Sequence, residues 1–103
     1  MRFEEVFDRA LSIHRDRDQA YSGSKEFSSL PFGFLQSLMF LNTKAKRVEN
    51  LMREAERTLW NFKSLPDTTR SKLADSLMDT LNYAAIALYL GIREGILKEE
   101  YLR

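Results

Sequence analysis

Three oxygen-bearing side chains recur at helical spacing within residues 75–83 of this chain. Asp75, Asp79 and Asn82 stand at positions i, i+4 and i+7, which fall within an arc of about 60° on one face of an α-helix. Two carboxylates and a carboxamide on one face offer the oxygen ligands that a hard cation such as Mg²⁺ prefers. The same residues also fit a solvated polar stripe, and the sequence leaves both interpretations open.

A second candidate set is basic and lies on the preceding predicted helix. Lys44 and Arg47 are three residues apart and share one side of that helix with Phe40. In one interpretation their aliphatic parts cover apolar surface at the side of the bundle, and their charged groups pair with Asp75 and Asp79. In the other they clamp phosphate, since a guanidinium binds oxyanions in a bidentate manner. Ion pairs between the two sets would neutralise the acidic face and argue against a bound cation.

Tyr83 extends the acidic face beyond Asn82, and one histidine lies elsewhere. Asn82 is next to positions that we expect to be buried, where its amide requires hydrogen-bond partners, and Tyr83 follows it. The only histidine, His14, lies on the apolar stripe of the first predicted helix, with Asp18 one turn later. A lone histidine there is more typical of a core residue than of a catalyst, although Asp18 would orient its ring for a base role.

The composition is that of one ordinary globular domain. Hydrophobic residues make up 44% and charged residues 30%, and 16 Lys and Arg stand against 15 Asp and Glu. This balance does not favour nucleic acid or an anionic membrane as a partner. The absence of cysteine excludes disulfides, thiolate metal sites and cysteine nucleophiles. Neither a signal peptide nor a membrane-spanning run is present, so we expect a cytoplasmic protein.

Three long helices must position the candidate residues. The first is predicted to end near Gln19, and a loop rich in serine follows over 20–31. The second is predicted from near Gly33 to about Phe62, and the third begins after Pro66. The chain is therefore predicted to be a single all-α domain over its whole length, an antiparallel bundle of three or four helices. The apolar stripes expected to form its core are Phe34, Leu38, Leu41, Ala45, Val48, Met52, Ala55 and Leu59 on the second helix, and Leu73, Leu77, Leu81, Ala84 and Leu88 on the third.

The third helix also suggests a dimer. Beyond Asn82 the side that carries the acids becomes apolar, with Tyr83, Ile86 and Leu90. A helix that is apolar on every side is buried on every side, and three helices supply too little cover for it. We therefore expect a second subunit over this face, in an isologous helical dimer. Gly95 is the predicted end of the helix.

The chain resembles a known family over about residues 14–90. The similarity is carried by Tyr21-Ser22-Gly23, residues 41–48 (LNTKAKRV) and residues 75–84 (DSLMDTLNYA). These stretches are similar to the nucleotide-modification-associated domain family, small α-helical proteins of phages and bacteria. That family looks related to the all-α NTP pyrophosphatases of the MazG and dimeric dUTPase type. The resemblance implies a MazG-like helical homodimer that handles nucleotides or other phosphate-bearing small molecules.

The resemblance also implies roles for individual residues. In the pyrophosphatases, a glutamate pair at i, i+3 and a later acidic pair bind Mg²⁺ on the triphosphate and activate a water molecule. Asp75 and Asp79 match the later pair and would be catalytic and metal-binding, with Ser76 where a second glutamate is expected. Lys44 and Arg47 have the spacing of the earlier pair but the opposite charge, so the acidic Mg²⁺ site is incomplete.

The sequence therefore predicts a nucleotide-binding or nucleotide-processing accessory protein, which would be a pyrophosphohydrolase-like hydrolase if it is active. Lys44, Arg47, Asn82 and Tyr83 would bind the substrate, and the two aspartates would hold at most one Mg²⁺. The alternative is a non-catalytic structural or interaction module that uses the same helices for dimerisation and partner docking. That alternative predicts a closed network of ion pairs among the four charged residues and no cavity between their helices.

Overall fold

Helices make up most of the protein, which is seen in a computed structural model that describes residues 1–22 and 33–102. No strand occurs in those ranges, which confirms the predicted all-α class. Nor does any helix within them have the length and apolar character needed to cross a membrane. The elements in chain order are α1 (Phe3–Ser22), α2 (Phe34–Arg53), two 3₁₀ segments (Glu54–Thr58 and Phe62–Ser64), α3 (Asp67–Arg93) and a third 3₁₀ segment (Glu99–Tyr101).

α2 and α3 form an antiparallel pair that holds most of the core. The backbone N–H of Phe34 donates to Glu94 at one end of the pair, and Thr69 donates to Glu54 at the other. Many of the side chains buried along this seam are small, so the two backbones can approach closely. The buried residues of the seam and its connection are Ser37, Ala55, Leu65, Ser76, Asp79, Ile86, Ala87, Leu90 and Gly91.

The stripe predicted for the core of the third helix holds only in part, because Leu73, Leu81 and Ala84 are half-buried and none of its members is fully buried. Leu77 and Leu88 are 51% and 43% exposed, whereas Ser76 and Leu90 on the neighbouring face are fully buried. The physical reason is that the close approach of α2 selects small side chains on α3. A count of large apolar residues at helical spacing overlooks such a face.

The stripe predicted for the second helix is divided between core and surface. Leu41 and Val48 are half-buried and Ala55 is buried, as predicted. Leu38 and Met52 are each 40% exposed. One half of the stripe therefore packs against α3, and the other half borders solvent.

α2 is also shorter than predicted, because it ends at Arg53 and continues only as a 3₁₀ segment instead of reaching Phe62. Leu59 and Trp60 have φ angles of 55° and 64°, in the left-handed region that L-residues rarely adopt. The N–H of Trp60 donates to the carbonyl of Ala55 at 2.8 Å, a bond typical of a helix C-terminus. Glycine usually occupies the left-handed position, so the sequence carries no obvious stop signal there.

α3 ends where the sequence predicts. Gly95 has a φ of 75°, and the N–H of Ile96 donates back to the carbonyl of Gly91 at 2.8 Å. Gly91 itself is buried, and a Cβ there would lie 2.6 Å from Leu97 Cδ1 and 3.1 Å from Phe34 Cε2. Gly95 therefore allows the helix to end, whereas Gly91 leaves space for the side chains of Leu97 and Phe34.

α1 contributes less to the core. Ala10 is buried, but no other α1 side chain in the described part of the chain is. The helix runs to Ser22 and so extends past the predicted end at Gln19. The rest of the predicted loop, residues 23–31, lies outside the described residues, as do the side-chain contacts of Asp18.

Candidate functional site

Lys44 and Asp79 form an ion pair in the seam between α2 and α3. The Lys44 Nζ lies 3.1 Å from Asp79 Oδ2, and the two side chains are only 25% and 11% exposed. Removing two charges from water costs free energy that their mutual attraction only partly offsets. An apolar pair of similar volume would serve stability as well. The pair is therefore the polar feature of the seam that packing alone does not explain.

An aromatic stack lies one helical turn away from the ion pair. The rings of Phe40 and Tyr83 have centroids 5.5 Å apart and an interplanar angle of 21°. Phe40 precedes Lys44 by four residues and Tyr83 follows Asp79 by four, so one antiparallel register produces both contacts. The sequence predicts Tyr83 as a site residue but does not single out Phe40. The matching i, i+4 spacings on the two helices were the available signal.

The other two charged candidates lie at the surface. Arg47 and Asp75 are both exposed, and no ion pair within the described part of the chain joins either of them to Lys44 or Asp79. The closed network of four charges is therefore not formed among these residues. Arg47 presents its guanidinium to solvent one turn after Lys44.

Asn82 faces a different element from the ion pair. It is half-buried and lines a largely apolar groove of about 320 Å³ between α1 and α3. Its side chain is thus on the α1 side of the helix, whereas Asp79 is on the α2 side. The residues that line this groove are Phe7, Ala10, Leu11, His14, Leu81, Asn82, Ala85, Ile86 and Tyr89.

A further cavity, lined mainly by polar side chains, lies near the end of α2. It has a volume of about 430 Å³. Neither this cavity nor the groove includes Lys44, Arg47 or Asp79 in its lining. The Lys44 side chain is 25% exposed, so the ion pair reaches the edge of the seam. The lining of the polar cavity is Asn50, Arg53, Glu54, Arg57, Thr58, Ser64, Leu65 and Pro66.

The acidic residues do not fit a Mg²⁺ site as they are arranged. Among the residues that the structure describes, no group of three or more His, Asp or Glu side chains is placed to hold a metal. The Lys44 ammonium lies against the Asp79 carboxylate that a cation would need. A cation beside it would meet like charge, which is unfavourable at short range. The predicted Mg²⁺ role of Asp75 and Asp79 stays a prediction.

Ser76 stands at the position where the predicted family resemblance would place a glutamate. It is fully buried, and its hydroxyl donates to the carbonyl of Lys72 at 2.8 Å. Thr80 repeats the pattern one turn later, with its hydroxyl 2.7 Å from the carbonyl of Ser76. A glutamate at position 76 would have to bury its carboxylate in the seam, at a high desolvation cost.

No protein-family model, curated protein or solved structure matches this chain. The family resemblance stays a prediction for that reason.

Proposed function

We propose that the protein binds a nucleotide or another phosphate-bearing small molecule at the edge of the α2–α3 seam. The Lys44–Asp79 ion pair is the observation that carries this proposal. A buried carboxylate that holds an ammonium group 3.1 Å away fixes the position of the cation before any ligand arrives. Binding then requires less ordering of a long side chain, which is a main cost of lysine contacts.

The residues around Lys44 extend the site in two directions. Arg47, one turn later and exposed, adds a planar guanidinium that suits the oxygens of a phosphate group. Phe40, one turn earlier, is 40% exposed and stacks on Tyr83, so the aromatic pair borders the same edge. An aromatic surface beside two cations matches the planar base and the charged tail of a nucleotide.

The placement of charge in the seam supports a functional use of the pair. Ionisable groups in low-dielectric surroundings cluster at functional sites, because such sites need fixed charges and tolerate their cost. Asp79 in this account is a positioning residue for Lys44, and it does not touch the ligand. Asp75 is exposed and has no role in the proposed contact with phosphate.

We place the protein with accessory proteins that bind nucleotides, since cleavage would need more than this edge offers. Hydrolysis of a triphosphate depends on carboxylates that hold Mg²⁺ or orient a water molecule. Asp79 is engaged with Lys44, and Asp75 stands apart at the surface. Product analysis for released pyrophosphate tests the remaining prediction of pyrophosphohydrolase-like activity.

Thermal unfolding with a panel of nucleotides tests the binding proposal. Nucleoside mono-, di- and triphosphates are added at millimolar concentration, each with and without Mg²⁺. A ligand at 100 times its Kd stabilises the folded state by about 2.7 kcal/mol, which raises the Tm of a small domain by several degrees. We expect stabilisation that grows with the number of phosphates and does not require Mg²⁺.

Two alanine variants of α2 test whether the stabilisation by nucleotide depends on Arg47. Arg47→Ala should abolish most of the stabilisation by nucleotide. Lys46→Ala is the matched control. Lys46 is also an exposed cation, but it lies about 100° away from Arg47 around the axis of α2. Equal losses in both variants would show a non-specific charge effect and would contradict the proposed site.

A non-catalytic interaction module is the second candidate, and one observation favours it. Lys44 and Asp79 already pair with each other, and neither the α1–α3 groove nor the polar cavity is lined by them. If the helices serve only docking, the nucleotide panel is flat for the wild type and for both variants. That result would reject phosphate binding and leave the interaction module.

A further inference from the structure

Three large apolar side chains protrude at the turn that follows α2. Leu59, Trp60 and Phe62 are 89%, 52% and 42% exposed, and the centroids of the Trp60 and Phe62 rings lie 6.4 Å apart. None of the three lines the α1–α3 groove or the polar cavity. We call this set the apolar tip. Large apolar side chains that cluster at the surface, unlike single ones, mark sites of interaction with another molecule.

The backbone holds the apolar tip outward at a cost in stability. Leu59 and Trp60 are consecutive residues with φ angles of 55° and 64°, a strained conformation for large L-residues. Glycine or asparagine would adopt it more readily. A leucine that is 89% exposed also gains almost nothing from burial in its own chain. Folding therefore explains neither the conformation nor the residue type at position 59, and such strain is typical of functional sites.

Two basic side chains flank the apolar tip. Arg57 stands just before Leu59 in the sequence and Lys63 directly follows Phe62, and both basic residues are exposed. No ion pair in the described ranges, residues 1–22 and 33–102, includes either of them. The turn therefore presents apolar side chains between two cations that no carboxylate of the described chain neutralises.

The acidic residues near the apolar tip are engaged with other groups. Glu54 accepts a hydrogen bond from α3, and Asp67 forms an ion pair within the first turn of that helix. Glu49 and Glu56 both raise the pKa of Arg53, Glu49 the more strongly through its hydrogen bond, so Glu56 lies close to a cation of its own. The whole chain has a net charge of only +1, but the charge left uncompensated beside the tip is positive.

We propose that the apolar tip inserts into the surface of an anionic lipid bilayer, with Arg57 and Lys63 beside the anionic headgroups. Tryptophan is enriched at the membrane interface, because its ring is apolar and its N–H is polar. Each cation near an anionic bilayer adds to the attraction. Lipids rearrange around a protruding tip, whereas a protein partner would need a matching concave pocket. Anchoring of this kind does not require a helix that spans the membrane.

The apolar tip is separate from the predicted dimer face and from the phosphate site. Ile86 and Leu90 were expected to meet a second subunit, but they are 5% and 0% exposed in a single chain, and Tyr83 stacks on Phe40. That predicted face is therefore wrong, because helices of the same chain cover it, and homodimerisation stays a prediction. Lys44 lies within α2, whereas the apolar tip follows the end of this helix. Lipid binding and phosphate binding can therefore fail independently.

The fluorescence of Trp60 tests the proposal, because Trp60 is the only tryptophan in the chain. Large unilamellar vesicles of phosphatidylcholine with one-third phosphatidylserine are titrated into the protein. We expect the emission maximum to move to shorter wavelength, and lipids brominated in their acyl chains to quench the emission. Vesicles of pure phosphatidylcholine should bind roughly 30-fold more weakly, since they do not attract the two cations.

Leu59→Asn removes an apolar side chain of the tip and keeps its backbone, because asparagine tolerates the left-handed conformation. The affinity for anionic vesicles should fall by about tenfold or more, since insertion of one leucine side chain contributes at least that much. Leu35→Asn is the matched control. Leu35 is 71% exposed in the first turn of α2, away from the apolar tip, so this variant should bind like the wild type. Circular dichroism checks that both variants are folded.

A double variant tests the two cations. Arg57→Gln with Lys63→Gln should lose the preference for anionic vesicles and keep the weak binding to pure phosphatidylcholine. Lys46→Gln with Lys98→Gln is the matched control, because it removes the same charge from two exposed lysines outside the tip. This control should keep the preference for anionic vesicles.

Four results would overturn the proposal. An unchanged Trp60 emission with anionic vesicles would reject lipid binding and leave a protein as the partner of the apolar tip. Equal affinities of Leu59→Asn and the wild type would show that the tip does not insert. Equal losses in the two double variants would show a non-specific effect of charge. The same shift with inorganic phosphate in place of vesicles would show that a free anion, and not a bilayer, is bound.

Discussion

α3 is contacted from two sides, and the two contacts are built differently. Against α2 it has a closely packed seam in which Ser76 and Leu90 are fully buried. Against α1 it has a groove of about 320 Å³, and Ala10 alone is buried among the described side chains of α1. The α2–α3 pair must therefore supply most of the stability, whereas α1 adds a smaller share.

The same difference bears on function. The charged pair of Lys44 and Asp79 is placed in the closely packed seam, where its desolvation costs most. The open groove is lined mainly by apolar side chains. A polar group in the more costly location is the better indicator of a selected function, which is why the proposal centres on the seam.

Truncation of a leucine on each side should show the largest difference. Leu90→Ala removes a fully buried side chain of the seam and should lower the free energy of unfolding by about 3 kcal/mol. Leu11→Ala affects a groove residue that is already 37% exposed, so we expect a loss of about 1 kcal/mol or less. Urea unfolding measures both. Equal losses would mean that the groove contributes as much as the seam.

Changes at the ion pair should have the next largest effect. Lys44→Met leaves the Asp79 carboxylate without its ammonium partner and should cost about 2 kcal/mol. The double variant Lys44→Met with Asp79→Leu should recover most of that loss, because an apolar pair has no desolvation penalty. A double variant as unstable as the single one would show that the pair itself stabilises the seam.

A cap between the two helices should have a smaller effect. The backbone N–H of Phe34 donates to Glu94 Oε2 at 2.8 Å, so a carboxylate from the end of α3 caps the start of α2. Glu94→Ala should cost about 1 kcal/mol, and Glu94→Gln less, since an amide oxygen still accepts the bond. Glu99→Ala is the control on an exposed acid. No difference between Glu94→Ala and this control would contradict the cap.

A residue with a left-handed backbone conformation follows both α2 and α3, and substitutions at these two positions should change stability in opposite directions. Leu59 has a φ of 55° and is 89% exposed, so Leu59→Gly should stabilise the protein by up to about 1 kcal/mol. Gly95 has a φ of 75° and no atom near its missing Cβ, so Gly95→Ala should destabilise it by about the same amount. Thermal unfolding measures the change in stability of both variants. The same sign for both would contradict the backbone geometry.

The sequence predicts the fold class and most helix boundaries, because long apolar periodicity and a glycine at 95 are direct signals. It does not predict the end of α2, since the left-handed residue there is Leu59, which carries no such signal. It also overlooks the most buried face of α3, since none of the predicted stripe residues is fully buried. The buried face uses small residues such as Ser76, and the exposed leucines have the stronger pattern.

The candidate site was predicted in part. The opposed charges of Lys44 and Asp79 meet, as one interpretation of the sequence has them. Asn82 does not join them, although it lies within the same arc of the helix, because α1 and α2 pack against different parts of that arc. Helical spacing gives the angle of a residue on its own helix. The neighbour at that angle depends on tertiary packing, which one sequence does not provide.

Backbone NMR during titration with a nucleoside triphosphate, without Mg²⁺, tests the central claim most directly. We predict saturable shifts of amide signals around Phe40, Lys44 and Arg47 on α2 and around Asp79 and Tyr83 on α3. Signals that belong to the α1–α3 groove should remain unchanged. Shifts confined to the groove, or none at millimolar ligand, would contradict a phosphate site at the edge of the seam.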